Sequence, residues 1–310
     1  MKSIPLCCPC CKQNIKQIEK GLICLNKNCE HNKLENAFPI VNSVPILISE
    51  NLTDTICSVE AGKVYIKRPL SKFKKLKSII VGESRVTKLN CLNFLNHLNK
   101  ISDKPKILVI GGGEKGSGTD NLWYSEKIEI DSVDIYASDS VDVVCDGHYL
   151  PLKDNSYDGV WIQAVIEHVV EPTVVAEEIF RVLKIGGLVY AETPFMQQVH
   201  EGAYDFTRYT VVGHRFLFKK FKSISYGGLG GPEVVFAWAI RYLIWSLTRS
   251  RNLSRVIGLA IGFILRPLAF FVSKKSMFDA SSGVYFLGKK EENYKISHKD
   301  LLKTYKGQFK

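Results

Sequence analysis

Apolar residues in this chain gather into short unbroken runs through its middle and into two longer runs near its end. Ile107–Ile110 is apolar at every position, the pattern of a parallel strand buried on both faces. Ile128–Ile135, Val141–Cys145, Gly159–Gln163 and Leu188–Glu192 read as further strands. Before the last of these, Val175, Ile179, Val182 and Leu183 fall at helical spacing, with Glu177, Glu178, Arg181 and Lys184 opposite. Gly186 and Gly187 follow, and predict that the helix stops there in a left-handed cap. A helix over Thr87–Asn99 is expected upstream. Strands alternating with helical patterns predict an open α/β sheet, whose chemistry lies outside the carboxyl ends of the strands.

Candidate chemistry sits at those ends. Gly111, Gly112 and Gly113 follow the first strand and let the backbone approach a ligand without a Cβ clash. Asp134 ends the second strand, with Asp139 as an alternative, Asp146 ends the third, and Gln163 ends the fourth. Acids at successive strand ends suit a nucleoside cofactor. The turn GGGEKGSG does not lead directly into an apolar helix as a dinucleotide-binding GxGxxG does, which argues against a dehydrogenase.

The run LPLKDNSYDGVWIQAVIEHVVEPTVVAEEIFRVLKIGG, 150–187, follows the pattern LPxxDxSFDxVxxxxVxEHVxxPxxxxxEIxRVLKxGG. With the glycine turn before it, it resembles the class I S-adenosylmethionine-dependent methyltransferases of the type 11-like group. The resemblance spans roughly Lys104 to Phe221, and weakly to Lys289. It implies a Rossmann-like seven-stranded sheet, closed by an antiparallel pair at Phe221–Ser225 and Val284–Leu287. It also implies S-adenosylmethionine as cofactor, with Asp134 accepting the ribose hydroxyls, Asp146 facing the adenine amino group with Gly147 and His148 beside it, and Gln163 on the methionine side. Many relatives carry an acid two residues before the first loop glycine. Here that position is Val109, so the contact is missing or supplied elsewhere, with Glu114 as a candidate substitute. After the fifth strand, PFMQQVHEGAYDFTRYT resembles the HxxxxDYxRxT block of methyltransferases associated with surface-polysaccharide synthesis. His200, Asp205 and Arg208 within it are the expected catalytic residues, an imidazole, a carboxylate and a guanidinium near the donor. An Asp205–Arg208 ion pair that only folds the loop is the alternative.

Six of nine cysteines precede residue 30, a crowding that suggests metal and not disulfides. The segment looks like the short zinc ribbon found beside many methyltransferases, with CPxC at Cys8 and Cys11 and a tail, FPIVNSVPIL, that matches closely. Cys24 and Cys29 form the second pair, four residues apart instead of two. Four thiolates would hold a structural zinc; Cys7 with Cys10, or His31 in place of Cys29, are alternatives. The expected organisation is a zinc-ribbon-like module at 1–50, a basic helical connector at 51–103, the methyltransferase domain at 104–290 with a hydrophobic helical insertion at 233–275, and a polar tail at 291–310. The module and the sheet are expected to have separate cores.

Composition sets the setting. The apolar fraction of 45% and charged fraction of 24% are those of a globular protein. The net charge is +11, and its excess is local. Lys63, Lys67, Arg68, Lys72, Lys74, Lys75, Lys77, Arg85 and Lys88 face one acid, Glu83. A second basic group, including Arg249, Arg251, Arg255, Lys274 and Lys275, flanks the apolar runs Val234–Leu247 and Val256–Val272. Such patches favour phosphate-bearing partners. The first run is too short to span a bilayer, and the second is interrupted by Arg266 and Pro267, so in-plane helices on a membrane surface are expected. A lid or dimer face is the bland alternative. MKSIPLCC lacks an apolar h-region and reads as no secretory signal. The expectation is a cytoplasmic enzyme, peripheral at the inner face of the membrane, acting on a small-molecule, glycan or lipid-linked substrate. RNA methylation, with nucleic acid as partner, is the second choice and a noncatalytic scaffold the third.

Overall fold

The computed structural model describes residues 2–52, 55–66 and 84–309. The basic stretch at 67–77 therefore lies outside the described residues. In the N-terminal module, β1 (Ile15–Ile18) pairs antiparallel with β2 (Gly21–Cys24), and β3 (Ile40–Val41) with β4 (Val44–Pro45). The main sheet holds β5 (Lys106–Ile110), β6 (Glu129–Asp134), β7 (Val143–Val144), β8 (Tyr157–Gln163), β9 (Leu183–Pro194), β10 (Phe221–Gly228) and β11 (Gly283–Lys290). Its order is β10-β11-β9-β8-β5-β6-β7. Strands β5 to β9 run parallel, and β11 lies antiparallel between β9 and β10. The strand order reverses between β5 and β8, so the crevice beyond their carboxyl ends is the expected ligand site.

The apolar runs explain the layers. Strand β8 is buried at every position but the last, because helices cover both faces of the sheet. The described helices are α1 (Val59–Lys63), α2 (Arg85–Leu98), α3 (Asp120–Trp123), α4 (Pro172–Val182), α5 (Val211–Leu217), α6 (Pro232–Thr248), α7 (Arg251–Leu265), α8 (Lys274–Ala280) and α9 (His298–Leu302). A Cβ on Gly159 of β8 would meet Phe94 at 2.9 Å and Leu98 at 3.1 Å, so α2 packs directly onto the sheet there. Helix α4 buries Val175, Ala176, Ile179 and Val182 on the other side, as its periodicity predicts.

Three expectations are corrected. Helix α4 ends at Val182, and Leu183 already pairs with Tyr157, so Gly186 takes its positive φ of 85° inside the bulged start of β9 rather than as a helix cap. The third strand is only Val143–Val144: its parallel ladder with β6 is closed on one side by the bond from Asp142 N–H to Ser132 O and on the other by that from Cys145 N–H to Asp134 O, and goes no further. The separate cores are not found. One buried cluster runs from Cys8, Leu22, Cys24, Phe38 and Leu47 through Val143, Leu150 and Leu152 to the centre of the sheet. Backbone bonds fasten this junction: Cys7 N–H donates to Pro151 O and Leu47 N–H to Val144 O.

The insertion forms a helical hairpin. Helix α6 ends at Arg249, whose φ of 58° is left-handed, and Ser250 then caps α7 by accepting from the Leu253 N–H. Arg251–Phe270 forms 20 continuous helical residues, apolar and long enough to cross a membrane, with the 3-10 turn Arg266–Phe270 carrying Pro267.

Candidate active site

The glycine turn after β5 lies flat against its neighbours. Gly111 has φ of 78°, and a Cβ on Gly112 would come within 1.9 Å of Ser132 Oγ. Asp134 stands at the end of β6. Its Oδ2 accepts the Gly113 N–H at 2.8 Å and its Oδ1 the Ile135 N–H at 2.7 Å. It thus shapes the turn from the end of β6. Val109 is buried inside β5.

Asp146 follows β7 and is 5% exposed. Its Oδ1 takes the His148 N–H at 2.9 Å and His148 Nδ1 at 2.5 Å. His148 Nε2 accepts the Glu171 N–H at 3.1 Å, which places the ring proton on Nδ1. Burial alone would raise the Asp146 pKa, but the bonds from His148 and Thr55 hold it below the usual carboxylate value. The Thr55 hydroxyl donates to Asp146 Oδ2 at 2.6 Å. Cys57 is pushed up to about 12, first by burial and then by the charges of Asp146 and Asp134. The chain at 55–58 therefore passes along the mouth between the two acids, a feature nothing in its sequence advertises. Gly147 is uncrowded, its Cβ position 3.8 Å from Val175.

Gln163 Nε2 donates to Glu192 Oε2 at 2.9 Å. Glu192, on β9, is 5% exposed and also receives the Tyr190 hydroxyl. Burial pushes its pKa up to about 7, against hydrogen bonds from Tyr190, Thr87 and Gln163 that favour the charged form. Sequence reasoning missed Glu192, although an acid inside the otherwise apolar LVYAETPF is a visible signal.

A second group of polar side chains lies beyond β8 and β9. Arg208 forms a fork on Asp205, with Nη2 2.7 Å from Oδ2. Asp205 also accepts the His200 N–H at 2.9 Å and approaches His200 Nδ1 at 3.2 Å. Its pKa falls to about 2, chiefly through the Arg208 hydrogen bond. The structure thus joins the three expected residues, with the ion pair orienting the imidazole. Burial and His168 lower the His200 pKa, so its ring is neutral at pH 7. Glu167 lies beneath: His168 Nε2 is 3.6 Å and His200 Nε2 3.8 Å from its Oε1. A cavity of about 370 Å³ opens beside His200, lined by Gln197, Trp238, Arg241, Tyr242, Trp245, Arg251 and Arg255 among others, with no carboxylate on its wall among the described residues. The Tyr242 hydroxyl donates to Val199 O at 2.8 Å, tying the hairpin to this loop.

In the N-terminal module, the sulfurs of Cys8, Cys11, Cys24 and Cys29 lie within 4.8 Å of one another. Cys8 to Cys29 is 3.8 Å and Cys11 to Cys24 is 3.4 Å. This donor set fits a tetrahedral metal. Cys10 falls outside it, Cys7 is buried, and His31 is stacked on Phe38 with Nε2 on Ser49 Oγ at 2.8 Å.

Counting the strands of the sheet in chain order gives 6-7-5-4-1-2-3, with a glycine turn after the first and an acid at the end of the second, an arrangement that defines the class I methyltransferase fold. Residues 124–191 match a family model described as a methyltransferase domain. The chain carries a methyltransferase domain with the class I fold, and the methyl donor that such a domain uses is S-adenosylmethionine. Solved structures with similar outlines include an S-adenosylmethionine-dependent methyltransferase from Archaeoglobus fulgidus, at 18% identity and a TM-score of 0.44, covering 71% of this chain and 100% of that one. Another is phosphoethanolamine N-methyltransferase 2 from Haemonchus contortus, at 17% identity and a TM-score of 0.42, covering 73% of this chain and 59% of that one. No curated protein matches the sequence.

Proposed function

We propose that this methyltransferase works at an anionic membrane surface on a phosphate-bearing glycan or lipid-linked acceptor, methylating a hydroxyl. The cavity beside His200 carries the reading. Three guanidinium groups, from Arg241, Arg251 and Arg255, and two indoles line it, and no acid opposes them among the described residues. Guanidinium forks suit phosphate, and aromatic faces suit sugar rings and acyl chains. Between Glu233 and Asp279 the sequence has seven basic residues and no acidic one. The same hairpin exposes Phe236, Leu247, Phe263, Ile264, Phe270 and Phe271. An apolar face bordered by arginine and lysine matches an anionic leaflet, and it supports peripheral placement at the inner, cytoplasmic face of the membrane.

The donor supplies a sulfonium methyl. The chain's part is to bind it through the glycine turn, Asp134 and Asp146, to align the acceptor, and to exclude water. The S–CH3 bond breaks as the O–CH3 bond forms, and the hydroxyl proton leaves toward the neutral imidazole of His200, oriented by Asp205. The four clustered cysteines hold a structural zinc in the same proposal, because they leave no open coordination position. With labelled S-adenosylmethionine and a membrane extract, label should enter the lipid-linked glycan fraction. Label in RNA alone would overturn the acceptor assignment.

A further inference from the structure

Glu167 is anomalous. Its side chain is wholly buried, and neither carboxylate oxygen has a hydrogen-bond partner among the described residues. A carboxylate in that position forfeits its hydration with little in return beyond its own backbone N–H and the charge of Arg208, a cost of several kcal/mol when charged. The loop above it is built against it: the Phe206 N–H donates to the Glu167 carbonyl at 2.8 Å.

Two imidazoles face the same oxygen. His168 Nδ1 lies 2.6 Å from the Tyr204 carbonyl, which only accepts, so Nδ1 carries the proton and Nε2 presents a lone pair. His200 Nδ1 faces Asp205, whose carboxylate is gripped by Arg208, and this places the His200 Nε2 lone pair inward too. One ligand atom from each of Glu167, His168 and His200 lies within 4.8 Å of the other two, and both Nε2 atoms approach the same oxygen, Oε1, at 3.6 and 3.8 Å. Each ring's outer nitrogen is anchored on a carbonyl or carboxylate, the arrangement that orients histidines bound to metal.

We propose that Glu167, His168 and His200 bind a divalent first-row transition cation at the acceptor end of the site. Two imidazoles and one carboxylate suit manganese, iron, cobalt or zinc and leave coordination positions open. His200 also lines the cavity, so those positions face the acceptor. There the cation takes the acceptor hydroxyl oxygen and lowers its pKa. The proton passes to water, the O–CH3 bond forms as the S–CH3 bond breaks, and S-adenosylhomocysteine departs. With the cation in place the His200 lone pair is a ligand and no longer a proton acceptor. This inference deepens the reading of the same site as an acceptor-activating centre. Its test uses neither donor nor acceptor, so its failure leaves the methyltransferase reading standing.

The experiment adds Mn2+ alone to the full chain, purified with its cysteine module intact, and follows free Mn2+ by electron paramagnetic resonance. One Mn2+ per chain is expected. Glu167→Gln, which keeps shape and removes charge, should weaken it by about 100-fold or more, and Asp205→Asn by about 10–100-fold, since it only orients His200. After loading with Zn2+, elemental analysis should find one equivalent fewer in Glu167→Gln than in the unchanged chain. Mn2+ should raise the unfolding midpoint of the unchanged chain and not of Glu167→Gln. No uptake of Mn2+ together with no Zn2+ difference, or equal uptake by Glu167→Gln, would overturn the proposal and leave Glu167 a buried neutral acid.

Discussion

The cysteine module and the α6–α7 hairpin are both additions to one seven-stranded sheet, and they are built in opposite ways. The module contributes Cys8, Phe38 and Leu47, each at most 1% exposed, to the same cluster as Val143 and Leu152. In the hairpin helices only Ala237 and Ser254 are buried, while Phe270 is 76% and Phe271 85% exposed. An element that merges with the core needs the metal for local geometry and shares its stability with the sheet. An element that stands off with apolar residues outward gains nothing from folding alone, so its composition has to be explained by what it meets.

The largest effect tests the merged side. Removing the proposed zinc, or Cys24→Ser, should cost more than about 4 kcal/mol. Because the core is shared, the unfolding midpoint of the whole chain should fall in a single shifted transition. A scan with two transitions, the later one unmoved, would restore independent cores. A change wholly inside the sheet calibrates that comparison. Glu192 has a folded pKa near 7, raised from the ordinary 4.5 by burial. Its contribution is therefore fully present below pH 4.5 and lost as pH rises through 7. Glu192→Gln escapes this loss and should gain up to about 3 kcal/mol over the unchanged chain between pH 5 and pH 8, read from denaturant midpoints.

The proposed donor site, at the glycine turn, Asp134 and Asp146, should be indifferent to the hairpin. Asp134→Ala should weaken S-adenosylmethionine binding by about tenfold or more, the loss of charged hydrogen bonds of about 1.5–3 kcal/mol. Unchanged affinity by calorimetry would remove Asp134 from the site. The smallest effect concerns single residues of the hairpin. Phe270→Ser or Phe271→Ser should leave stability within about 0.5 kcal/mol, as for other surface changes. Each should cost about 1.5–3 kcal/mol of binding to anionic vesicles, the value of one buried aromatic side chain. A drop in stability instead would mean the face is covered within the protein.

The merged and standing-off regions were not equally legible in the sequence. Unbroken apolar runs marked the strands, and the 150–187 pattern marked the class, because buried parallel strands leave a strong signature. The docking of the module did not show, since Phe38 and Leu47 would look the same packing on each other or on β7. Thr55 over Asp146 was invisible for the same reason: a contact across 91 residues leaves no local trace. Glu167 and His168 were visible as a dipeptide, but that both Glu167 oxygens lack donors is a property of three-dimensional packing. The convergence of Arg241 with Arg251 and Arg255 depends on the left-handed turn at Arg249, where a non-glycine residue carries no turn signal. The apolar and basic character of the hairpin was plain, whereas its exposure was not.

Flotation with anionic vesicles tests the contrast most directly, comparing the full chain with a chain lacking 234–272, both checked for S-adenosylmethionine binding. The full chain should float with the vesicles, less so at high salt but still detectably, because apolar burial persists when charges are screened. The shortened chain should stay in solution while still binding the donor. A full chain that remains wholly in solution at low salt would contradict the account.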